Sequence, residues 1–207
     1  MSTLIRNKIK FEPIKEHGSV FKQLNDIKEY LKGDSGAIDF TKIAPIPEGM
    51  DLSTIEGDNW LLDHWGVRAN AIHGFWINED ELFFDTELYP AVKIAMQIAK
   101  DNPTVPFTYK YASEDAGKVA GESVSIGEEL IVFPKKRMSK EAFDIAIELF
   151  PSQANLYVFN PTLGNYVYDT SDITYMVETY GKYSDCDGVE VEPVTVASRS
   201  NNDDLPF

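Results

Sequence analysis

The sequence predicts an α+β protein. Short stretches in which apolar residues alternate with charged ones, such as Ile5, Ile9 and Phe11 against Arg6, Lys8 and Lys10, carry the two-residue period of a half-buried strand. Between such stretches apolar residues recur three and four apart, as in Leu24, Ile27 and Leu31, the period of an amphipathic helix. With 207 residues, 43% of them hydrophobic and 12% aromatic, the chain can bury a sizeable core, as one domain with an extension or as two small domains.

Leu4 to Phe11 is the first strand, and Gly18 to Leu31 the first helix, with Val20 added to its apolar stripe and Gly33 as its stop. Asp34-Ser-Gly36 turns the chain into Ile38–Ile43, and the two prolines of Ala44-Pro-Ile-Pro-Glu-Gly49 hold the next segment extended. Leu52 to Trp65 reads as a weaker helix offering Ile55, Leu61 and Leu62 for burial. Asn70 to Ile77 and Glu81 to Thr86 form a hairpin across Asn78-Glu-Asp80. Pro90 suits the first turn of a helix reaching Lys100, whose core face is Ala91, Ile94, Ala95 and Ile98. Val105 to Tyr111 alternates again and gives a strand with one wet face. Lys118–Ser125 and Glu129–Phe133 add two short strands around Gly127. Ser139 caps a helix to Phe150, with Phe143, Ile147 and Phe150 inward and Lys140, Glu141, Asp144 and Glu148 in solvent. Leu156–Phe159 and Tyr166–Tyr168 flank a turn-rich connection, and Ile173, Met176, Val177 and Tyr180 lie on one face of a last helix.

The organisation expected from this order is a domain over residues 1–133, a smaller α+β extension packed on it over 134–192, and a flexible tail over 193–207. No apolar run approaches the roughly 18–20 residues of a membrane helix, and the first residues lack the apolar core of a secretory signal, so a cytoplasmic protein is expected, with no membrane partner. Cys186 is the only cysteine, which leaves no intramolecular disulfide. The net charge is −15, and residues 1–192, with 32 acids against 18 bases, carry −14 of it. An acidic body opposes non-specific nucleic-acid binding, which needs clustered Lys and Arg to release counterions. Such a surface commonly serves solubility alone.

Motifs for chemistry are lacking. The three histidines, His17, His64 and His73, are scattered without His-Glu-x-x-His spacing, no Cys-x-x-Cys pair exists, and no metal ligand or cofactor is assigned. With Gly188 at the sixth position of an EF-hand loop, Tyr183 and Val194 fall where acids are required, so that motif fails. There is no nucleophile elbow and no phosphate-cradling Gly-rich loop. Cys186 between Asp185 and Asp187 has its thiolate disfavoured. Asp63 and His64 beside Trp60 and Trp65 could form an active pair, but aromatic packing around a satisfied histidine is the commoner meaning of such a cluster. No residue is assigned as catalytic, and no enzyme is expected.

The most informative stretch is Ser200-Asn-Asn-Asp-Asp-Leu-Pro-Phe207. Asp203 and Asp204 lead into Leu205, Pro206 and Phe207, which is expected to carry the terminal carboxylate. These groups suit a foreign pocket with a basic rim and an apolar pit, and Pro206 reduces the ordering entropy of docking. The segment resembles the C-terminal tip of bacterial single-stranded-DNA-binding proteins. That resemblance implies partners among the host replication and repair proteins that read the tip.

A second resemblance covers residues 1–133. The blocks Phe40-Thr-Lys-Ile-Ala-Pro-Ile-Pro-Glu, Asn59-Trp60, His64-Trp-Gly66, Phe84-Asp-Thr86 with Tyr89-Pro90, Phe107-Thr-Tyr-Lys-Tyr111 and Ala120-Gly121, in that order, are similar to the YubB ferredoxin-like domain family of phage and plasmid proteins. The likeness implies a ferredoxin-like antiparallel sheet with helices on one face, and no established activity. The chain departs from the family where further tryptophans are usual, at Val67-Arg-Ala-Asn70 and Glu87-Leu88.

Two functional readings follow. In the first, the chain is a non-enzymatic phage or plasmid accessory protein of DNA metabolism, acting in the bacterial cytoplasm and docking host proteins through its tip. Single-stranded DNA is a further candidate partner. Trp60, Trp65, Trp76, Tyr109 and Tyr111 are the candidates for stacking on bases, and Lys135, Lys136 and Arg137 for phosphates, although sheet core is the more ordinary place for such aromatics. In the second, the acidic surface imitates DNA and inhibits a host defence nuclease.

Overall fold

Alternation in the first strand sets the layers. In β1 (Leu4–Phe11) the side chains of Ile5, Asn7, Ile9 and Phe11 are buried on one face, while Arg6, Lys8 and Lys10 take the other. The computed structural model describes residues 3–34 and 36–169. The helix read at Ile173–Tyr180, Cys186 and the Asp203–Phe207 segment lie outside the described residues.

From β1 the chain runs through α1 (Val20–Leu31), α2 (Phe40–Ile43) and α3 (Ile55–His64) into the hairpin β2 (Ile72–Trp76) and β3 (Glu81–Glu87). Then follow α4 (Val92–Asp101), β4 (Phe107–Ser113), the hairpin β5 (Ala120–Ile126) and β6 (Glu129–Pro134), α5 (Lys140–Leu149) and a small hairpin, β7 (Tyr157–Asn160) and β8 (Asn165–Tyr168). The starts of α1, α3 and α5 carry the side-chain caps that sequence chemistry favours. Ser19, Thr54 and Ser139 accept bonds from the backbone N–H groups of Lys22, Gly57 and Ala142.

The six longer strands form one antiparallel sheet in the order β2-β3-β1-β4-β5-β6, and β7-β8 stands as a separate pair. The central strand β1 is flanked on both sides in regular register, with Ile9 opposite Leu82 in β3 and Tyr109 in β4. Helices α1 to α4 cover one face. Leu24, Ile27 and Leu31 of α1, Phe40 of α2, Leu61 of α3 and Ile94, Ala95 and Ile98 of α4 share a core with Ile5, Ile9, Leu82, Phe84, Phe107 and Tyr109. Helix α5 lies on the opposite face. There Ala112 and Ala120 leave room for Ala142 and Ala146, and Phe143, Leu149 and Phe150 close a second core with Phe83. Helices thus flank both faces, where the family resemblance implied one. Met1–Tyr168 pack as one compact unit, in which α5 and the β7-β8 hairpin belong with the sheet.

One local expectation is corrected. Ile55, read as a core residue of α3, is 83% exposed, because α3 turns Leu61 inward instead, followed by Trp65 at its C-cap. Phe40–Ile43, to which the sequence pattern assigns no element, closes a helical turn, where the Asp39 carboxylate accepts from the N–H and hydroxyl of Thr41.

Candidate functional site

The face bearing α5 holds the described charge cluster with the clearest geometry. Beside the helix, β1, β3 and β4 line a groove with Lys8, Lys10, Glu81, Thr108, Lys110 and Glu148. The charges alternate as a chain. Lys10 lies 3.6 Å from Glu81, Glu81 is 3.4 Å from Lys8, Lys8 is 3.3 Å from Glu148, and Glu148 is 2.5 Å from Lys110. Register puts these lysines together, since Lys8 of β1 stands opposite Lys110 of β4. Next to them Arg6 grips Asp85 at 2.9 Å, donates to the Leu149 carbonyl and sits 4.6 Å over the Phe150 ring. Three ammonium groups thus face two carboxylates, a surplus too small to draw a polyphosphate by counterion release. The chain of charges fastens α5 to the sheet.

Glu148 measures that fastening. Burial tends to raise its carboxyl, but the bonds and charges of Lys110 and Lys8 outweigh it and hold the group below its ordinary value. A carboxyl depressed by folding stabilises fully above its unfolded value, 4.5, and loses that stabilisation as pH falls further. Thermal melts from neutral to acid pH are expected to show a gap between the native chain and Glu148→Gln that closes below that value. A gap of constant size would contradict the assignment.

Past the lysines the same face becomes apolar. Val124, Ile126, Ile131 and Phe133 on the β5-β6 hairpin are exposed, and Val124 stands opposite Ile131. At the other end Phe75 of β2 stacks at 5.8 Å on Phe83. Sequence reasoning passed over these residues. The run Leu130-Ile-Val-Phe133 has no alternation to mark which side chains face outward.

The residues proposed for single-stranded DNA do not converge. Trp65 is 2% exposed, with its indole N–H donated to the Ala44 carbonyl, and Tyr109 and Tyr111 are buried, so none of the three presents a ring face to a base. They serve the core because the inward positions of β4 and the C-cap of α3 take large apolar bodies. Trp76 packs on Phe11 under the Lys28 ammonium. Trp60 is half-buried on α3, in the helical layer opposite α5. Lys135 follows β6 on the α5 face and pairs with Glu122 at 2.5 Å, leaving Lys136 and Arg137 exposed beyond it.

Trp60 does help to build a second surface. Its ring stacks at 4.3 Å and 11° on His64, and the two form a shelf with Met50, Ile55, Asn59 and Asp63. His64 Nδ1 lies 2.9 Å from the Trp60 carbonyl, which only accepts, so Nδ1 carries a proton. His64 is therefore engaged by Trp60 through both its ring and its Nδ1, as in aromatic packing around a satisfied histidine. Among the described residues no three His, Cys, Asp or Glu side chains gather to hold a metal ion, and no helix is long and apolar enough to cross a membrane.

The chain matches no protein-family model, no curated protein and no solved structure.

Proposed function

We propose that this chain is a non-enzymatic phage or plasmid protein of DNA metabolism that docks host replication and repair proteins through Asp203-Asp-Leu-Pro-Phe207. The observation that carries the reading is the order of those residues. Paired carboxylates precede a proline-stiffened apolar pair, a combination suited to an apolar pit with a basic rim. The pairing of Lys8, Lys110 and Lys135 with Glu148 and Glu122 adds weight to protein docking over DNA binding by the body.

The ferredoxin-like assignment belongs to the same proposal. The order β4-β1-β3-β2, with helices between β1 and β2 and between β3 and β4, supports a β-α-β-β-α-β unit to which β5, β6 and α5 are added. We place the protein in the bacterial cytoplasm, where its partners work.

A competition experiment tests the docking. The full chain, bound to a repair protein that reads the tip of single-stranded-DNA-binding proteins, is expected to be displaced by a peptide copying that tip. Binding that the peptide leaves untouched would contradict the reading.

A second reading, inhibition of a defence nuclease by DNA mimicry, is favoured by the exposed acids Glu48, Asp51, Glu56 and Asp63 around the Trp60 shelf. The hydroxyl and N–H of Ser53 hold Asp51 below its ordinary value. Nuclease inhibition that survives loss of Phe207 would favour this alternative.

A further inference from the structure

The two edges of the large sheet are built differently. At the β2 edge the register shifts between Ile72 and Phe75, and His73 takes a positive φ of 53°, so that strand is kinked and poorly suited to pairing. At the β6 edge the register with β5 is unbroken from Glu129 to Pro134. Leu130 to Phe133 carry no charge, and among the described residues no strand covers the outer side. A straight, uncharged edge beside the exposed apolar group of Val124, Ile126, Ile131 and Phe133 is a template for another strand.

The residues themselves indicate which strand. Ile126 and Glu129 close a turn of Gly127 and Glu128, so the backbone groups of Glu129, Ile131 and Phe133 point to β5, and those of Leu130, Val132 and Pro134 point outward. The ladder extends one residue further, where Lys135 N–H donates to the Ala120 carbonyl at 3.0 Å. If a second copy pairs antiparallel about a two-fold axis normal to the sheet, residues opposite each other share a face, and the axis passes midway between the two copies of one residue. Centred on Ile131, such a pairing sets Glu129 against Phe133. Centred on Phe133, it sets Lys135 against Ile131. Centred on Val132, it sets Glu129 against Lys135, Glu128 against Lys136, and Ile131 against Phe133. Pro134 is tolerated in that register, because its carbonyl accepts from Leu130 of the second copy and only its absent N–H goes unused.

We propose that β6 pairs with β6 of a second copy of this chain about a two-fold axis at Val132, with Glu129 of each copy facing Lys135 of the other. The dimer carries two copies of every surface described above, so its tests are independent of the docking proposal.

Sedimentation of the full chain is expected to show a dimer. Glu129→Lys places like charges at both contacts, as does Lys135→Glu, and each variant alone is expected to dissociate about tenfold more readily or worse. Mixing the two variants restores opposite charges at both contacts, so a heterodimer is expected to form. Thermal melts of each variant check that the fold is intact. A monomeric native chain overturns the proposal. So does a dimer that both variants keep, or a mixture that fails to re-form one.

Discussion

Asn7→Ala is expected to lower the stability of the folded unit by about 3–5 kcal/mol, or roughly 10 °C in melting temperature. Asn7 is fully buried on the core face of β1, where alternation calls for an apolar residue. Its amide donates to the Ile5 carbonyl and the Thr86 hydroxyl, and its Oδ1 accepts from the Tyr109 hydroxyl at 2.6 Å and the Ala91 N–H at 3.3 Å. Burial and the neighbouring Tyr111 push the Tyr109 hydroxyl well above its ordinary value, so it remains a donor. Removing Asn7 leaves that donor and the start of α4 without an acceptor in a dry core. Asn7→Leu with Tyr109→Phe removes donor and acceptor together, and a double-mutant cycle is expected to return less than the sum of the single losses. Strict additivity would mean that the two groups stabilise the core separately.

Phe143→Ala is expected to cost about 3–5 kcal/mol and to act mainly on one part of the fold. The ring is 2% exposed, lies 5.1 Å from Tyr157 and 5.7 Å from Tyr166, and comes so close to Gly117 that a Cβ there would stand 2.8 Å from it. It therefore joins α5, the β7-β8 hairpin and the β4-β5 connection. Amide exchange is expected to accelerate in α5, β7 and β8 before it does so in β1 and β3, which bury the other face in the larger core. Uniform acceleration would indicate that the two cores unfold together.

Much of this scaffold is legible in the sequence because its signals are local. The structure gives β1 the bounds read from alternation, and Ala91, Ile94, Ala95 and Ile98 are all buried as their spacing implies. Ser139 caps α5 as its hydroxyl chemistry suggests. What local patterns miss depends on distant residues. Asn7 reads as a lapse in an apolar face until Tyr109 and Thr86 are brought to it. Glu148 reads as solvated, and only the fold sets it against Lys8 and Lys110. The apolar β6 edge is hidden because a continuous run such as Leu130–Phe133 carries no period. The proposed docking segment, Asp203–Phe207, rests on the sequence alone and lies outside the described residues.

The docking claim is tested most directly by calorimetric titration of a tip-reading repair protein with the native chain and with Phe207→Ala. An anchoring ring in a foreign pit is worth about 2 kcal/mol, so the variant is expected to bind about thirtyfold more weakly while melting at the native temperature. Equal affinities for the two chains would contradict the account.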